Sequence, residues 1–144
     1  MALSWRAALT LAALLCLRPA VVSAQNDKSK ADSKPPTLSL KASPGSGIAP
    51  VRVSLTGELK GGADDSEEYY CPSVEWDWGD GTVSESSSDC DPYEAGKTTI
   101  ARRFTVQHVF RASGALRVQL RLKKKEKVVA SAVTNLQIVS GGLP

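Results

Sequence analysis

Two groups of carboxylates in this sequence could hold a metal ion: Asp77 and Asp80, set among Gly79 and Gly81, and the cluster Asp64, Asp65, Glu67 and Glu68. A calcium loop of the EF-hand kind needs oxygen ligands at its first, third and fifth positions. Counted from Asp77, the third and fifth positions are Gly79 and Gly81, so that loop is absent. A less regular calcium site, built from the cluster together with Asp89 or Asp91, is the weaker alternative to a solvated acidic loop. No other cofactor is expected. His108 is the single histidine, too few for a zinc pair. There is no G-x-S-x-G nucleophile elbow and no glycine-rich phosphate loop opening a helix. The residues therefore assign no catalytic or metal-binding position and point away from an enzyme.

Trp76 and Trp78 could stack on a sugar ring, but their spacing argues for another role. Val74, Trp76 and Trp78 alternate with Glu75 and Asp77, the period of two that sends successive side chains to opposite faces of a strand. Both indoles then point into a core. Asp80-Gly81 follows and suits a two-residue hairpin turn, whose central positions want positive φ. Tyr69 and Tyr70, beside Cys71, are the better candidates for partner contact, as aromatic residues on an exposed loop. Lys123-Lys124-Lys125 reads as a solvated hairpin tip, with binding to an anionic polymer or lipid headgroup as the sharper alternative.

The elements that must position these residues are strands. Leu38 and Leu40 form a short alternation that Ser43-Pro44-Gly45-Ser46-Gly47 breaks, and Val51, Val53 and Leu55 form a second. Val83 is expected to continue the inward pattern after the turn. Phe104, Val106, His108 and Phe110 share one parity, as do Leu116, Val118, Leu120 and Leu122. Ala130, Ala132, Leu136 and Ile138 give the last strand one apolar side. No window beyond residue 24 holds a helical period, so the domain is expected to be all-β with about seven strands.

These motifs resemble the PKD domain, an immunoglobulin-like β-sandwich named for polycystic kidney disease protein. The similarity starts at Gly47-Ile48-Ala49-Pro50-Val51-Arg52-Val53 and is strongest at Trp76-Asp77-Trp78-Gly79-Asp80-Gly81, where the family usually has Phe in place of Trp78. It continues through His108-Val109-Phe110 and Gly114-Ala115-Leu116-Arg117-Val118. The resemblance implies structural roles for the turn aspartates and for a histidine bonded to a neighbouring loop. It also implies a binding role, in extracellular protein or carbohydrate interaction. The alternative is an accessory domain that binds a polysaccharide or collagen-like polymer for a separate secreted hydrolase.

Residues 1–24 read as a cleavable signal peptide, with Arg6 ahead of an apolar run from Ala7 to Leu17 and small residues before an expected cut after Ala24. Residues 25–36 read as a polar tether, 37–139 as the sandwich and 140–144 as a tail. The protein is thus expected to be secreted or periplasmic, without stable membrane insertion, and monomeric. Without Arg6 and Arg18 the net charge of +3 falls to +1, which removes the main argument for nucleic acid. The remaining charge is segregated: residues 58–94 hold 12 acids against Lys60, and residues 97–127 hold 10 bases against Glu126. Neutralisation across adjacent strands is the expected outcome. Export also makes Cys71 and Cys90, the two cysteines left after the signal, a disulfide. If Asp80-Gly81 sets the register, paired positions sum to 161, which Cys71 and Cys90 satisfy. Pro72 and the serines at 86–88 make an unbroken ladder between them unfavourable.

Overall fold

The computed structural model describes residues 34–142. The expected signal peptide and most of the tether lie outside the described residues. Eight strands form two sheets: β1 (Thr37–Ser43), β2 (Ser46–Ala49), β3 (Val51–Lys60), β4 (Ser73–Asp77), β5 (Val83–Ser86), β6 (Arg103–Phe110), β7 (Gly114–Lys124) and β8 (Lys127–Ser140). One sheet has the order β1-β3-β6 and the other β2-β8-β7-β4-β5.

Alternation builds both inner faces. On β3, Val53, Leu55, Gly57 and Leu59 are buried while Arg52, Ser54, Thr56 and Glu58 face outward. Val118, Leu120 and Leu122 on β7, with Leu136 and Ile138 on β8, supply the opposing face. At Gly57 the opposing side chain fills the space a Cβ would need: an added Cβ would lie 2.2 Å from Leu120 Cδ2. Removing this apolar surface from water is the main force holding the two layers together.

The strand beyond the expected seven is β2. Ser43-Pro44-Gly45 ends β1, as the turn residues require, but the chain then crosses to the other sheet and pairs in parallel with β8, from Ser46 opposite Gln137 to Ala49 opposite Ser140. Four residues with one large apolar side chain, the exposed Ile48, carry no alternation for a sequence reading to detect. At the tether boundary, Pro36 is buried rather than solvated. It packs on Gly62, whose φ of 68° and lack of Cβ allow the approach.

Candidate functional site

The Trp-bearing strand and its turn organise one end of the sandwich. Trp76 and Trp78 are 5% and 4% exposed, with their rings stacked at 5.7 Å between centroids. The His108 ring lies parallel to Trp78 at 4.0 Å, and Phe110 meets both edge-on. His108 Nε2 is 3.2 Å from Asp80 Oδ2. The other oxygen of Asp80 accepts hydrogen bonds from the Thr82 amide at 2.9 Å and the Thr82 hydroxyl at 2.5 Å. Burial works against the charge on Asp80, but the bonds from Thr82 and the histidine outweigh it and hold the carboxyl below its ordinary value. This cluster ties the β4–β5 turn to β6 in the other sheet.

The turn itself differs from the expected one. Trp78 N–H donates to Thr82 C=O, which encloses three residues, and the β4–β5 pairs sum to 160: Trp76 faces Ser84 and Asp77 faces Val83. The positive φ values fall on Gly79 and Gly81, at 71° and 90°, and not on Asp80-Gly81 together. An added Cβ on Gly79 would sit 2.5 Å from the Arg117 carbonyl oxygen, so the backbone of β7 fills the space a side chain would need. Asp77 Oδ1 accepts from the Gly79 amide at 3.1 Å. A one-residue register change exchanges the faces of a strand. That is why Val83 is 59% exposed instead of continuing the core.

At the other end, Cys71 and Cys90 form a disulfide with their Cα atoms 6.3 Å apart. No strand ladder joins them, since β4 begins at Ser73 and β5 ends at Ser86. Cys71 has φ of 51° and turns the chain into Pro72. Tyr69 is not an exposed contact: it is 5% exposed, packs in the core, and donates from its hydroxyl to the Val129 carbonyl at 3.2 Å. Burial pushes its phenol above the ordinary value. Tyr70 is half-buried, donating to the Asp91 carbonyl at 3.0 Å, with Lys124 Nζ over its ring.

The acidic loop is engaged by its neighbours. Asp64 pairs with Arg102 at 2.6 Å, Asp65 accepts from the Gly96 amide, and Glu68 pairs with Lys127 at 2.6 Å. Among the described residues no three metal-ligating side chains converge. Arg102 also donates to the carbonyls of Leu59, Gly61 and Gly62, and Tyr93 donates to the Asp65 carbonyl at 2.5 Å. These two residues lock the long loops together. They lie in stretches without periodicity, so no sequence signal marked them.

The segregated charges meet across strands. On the outer face of the five-stranded sheet Glu75 binds both Arg121 and Lys123, and Lys123 also reaches Glu85 at 3.2 Å. Hydrogen bonds from Arg121 and then Lys123 hold the Glu75 carboxyl down, and those to Glu75 and Glu85 raise the Lys123 ammonium. Lys124 donates to the Tyr70 carbonyl at 2.6 Å. Of the basic hairpin, Lys123 is thereby ion-paired and Lys124 is held against Tyr70, while Lys125 projects at the tip.

No family model matches the sequence, and no curated protein does. Among solved structures, the PKD domain of an M14-like peptidase from Thermoplasmatales archaeon SCGC AB-540-F20 is similar, with 13% identity over 74% of this chain and 97% of that one, at a TM-score of 0.50. This domain has a PKD-like fold. A protein from Corynebacterium diphtheriae described as membrane anchored is similar at 14% identity and the same TM-score; the match covers 72% of this chain and 21% of that one. In the PKD-like domain no helix among the described residues is long and apolar enough to cross a membrane.

Proposed function

We propose that this chain is an exported, non-catalytic binding module whose partner is an extracellular protein. The observation that carries this reading is the commitment of its one histidine to the scaffold, between the Trp78 ring and the Asp80 carboxylate. The likeness to a domain named as part of a peptidase supports an accessory role. A protein partner is favoured over a sugar because stacking on a saccharide needs an exposed aromatic face. Trp76, Trp78 and Tyr69 are buried, and Tyr70 and Tyr93 are held by hydrogen bonds at the loops. An accessory role beside a secreted hydrolase, on a polysaccharide or collagen-like polymer, is the second reading, supported by the same named neighbour.

The test is to express residues 1–144, sequence the N-terminus of exported protein, and immobilise it against both a native secretome and a polysaccharide panel. Processing at Gln25 and saturable capture of a protein, without turnover, is the expected result. Retention of residues 1–24 inside the cell, or binding confined to polysaccharide, would overturn it.

A further inference from the structure

The sandwich is open along the side where β5 and β6 are the outermost strands of their sheets. Residues 87–102, which join them, run 16 residues without a strand. Connections of that length in a compact domain usually serve binding or remain unstructured. Between the two edges lies a cleft of about 300 Å³, and a second of about 390 Å³, beside the disulfide and the connecting segment, shares Val74 and Phe104 with it. Val74, Trp76, Phe104 and Val106 line the first cleft with apolar surface, and Ser84 stands at its rim.

The two edges are not equivalent. β5 is four residues long and exposed throughout, with Ser84, Glu85 and Ser86 on it. β6 is eight residues long, contains no proline, and directs Phe104, Val106, His108 and Phe110 inward. It pairs with β3 on one side only. A strand of this kind leaves a row of backbone donors and acceptors free to accept another strand.

Charge identifies the occupant. Residues 83–94 contain Glu85, Asp89, Asp91 and Glu94 and no Lys or Arg. Glu85 and Glu94 are paired with Lys123 and Lys97, and Arg103, which lines the second cleft, is paired with Glu58, whereas the exposed carboxylates of Asp89 and Asp91, on either side of the cleft-lining Cys90, meet no partner among the described residues.

We infer that this groove takes an extended, basic segment of the extracellular partner, added as a strand along β6. Alternate apolar side chains of the segment would cover Phe104 and Val106 while its Lys or Arg residues meet Asp89 and Asp91. This rests on the binding-module reading above and adds the surface and the chemistry of the partner.

The probe is a nine-residue peptide of alternating Val and Lys, titrated into isotope-labelled protein. Controls are its Val-Glu counterpart and a version with every second amide N-methylated, which cannot complete a ladder. Expected are shifts and slowed exchange confined to β6 amides with the Val-Lys peptide alone. Asp89→Asn with Asp91→Asn should weaken binding by roughly threefold to tenfold, as expected for losing two exposed ion pairs. Ser84→Trp, which fills the cleft from exposed β5 beside its cross-strand neighbour Trp76, should abolish binding while leaving the thermal midpoint within a few degrees of wild type. Equal binding of the acidic peptide, shifts centred on residues 123–127, or a dimer that protects β6 without peptide would each overturn the groove. Secretome capture by Ser84→Trp at the wild-type level would overturn the groove while leaving the module reading intact.

Discussion

Gly79 carries two constraints at once, a φ of 71° and the Arg117 backbone where a Cβ would lie, whereas Gly81 carries only its φ of 90° over open space. Gly79→Ala should therefore cost about 2 to 4 kcal/mol, a left-handed penalty added to a backbone clash, and Gly81→Ala about 1 kcal/mol. Equal urea midpoints for the two variants would show that the close approach to β7 is not felt. Asp80 makes a pH-dependent contribution of definite sign. Its folded pKa lies below the ordinary carboxylate value, so the stability it adds is present above about pH 4 and is lost as pH falls through the folded value. Asp80→Asn should flatten the acid limb of a stability profile. An acid limb unchanged from wild type would remove Asp80 from that role. The turn also shows where sequence reasoning reached its limit. Asp-Gly chemistry announced a hairpin, but whether two or three residues close it depends on how Gly79 packs against a strand nearly forty positions away.

At the scale of elements, legibility followed periodicity. β3, β6, β7 and β8 alternate over many residues and were visible in the sequence, as was the Trp-bearing β4. β2 has no alternation, and β5 lost its single apolar anchor when the register moved by one. Tyr69 was misread for a related reason: loops have no period, so nothing distinguished a residue that turns fully inward from its half-buried neighbour Tyr70. The disulfide was legible from count and export, although the ladder invoked for it is absent. The bridge closes a separation of 19 residues around β4, the turn and β5. Replacing both Cys71 and Cys90 by Ser should cost about 3 kcal/mol. Hydrogen exchange should quicken first in β5 and the start of β4, while β7 and β8 keep their protection. A uniform rise in exchange across both sheets would mean that the bridge supports the whole domain and not its open edge.

For the whole molecule, the two sheets pack over a position that lacks a side chain, Gly57. Gly57→Ala places a methyl against Leu120 inside a closed core, and should destabilise by about 1 to 3 kcal/mol through overpacking. Thermal unfolding with an unchanged midpoint would show that Leu120 has room to turn away. The segregated charge has a whole-molecule outcome too: acids and bases from separate stretches of chain meet on neighbouring strands, as Glu75 does with Arg121 and Lys123, while Asp89, Asp91 and Lys125 stay exposed. The parallel pairing of β2 with β8 has a mechanical side. β2 lies near the start of the domain and β8 at its end, and they run in the same direction. A pull on the two ends drives these strands past each other along their length, so their hydrogen bonds bear the force together instead of opening one by one. A module held by its leading segment and dragged by its far end would meet that load in the orientation in which a short ladder resists it best.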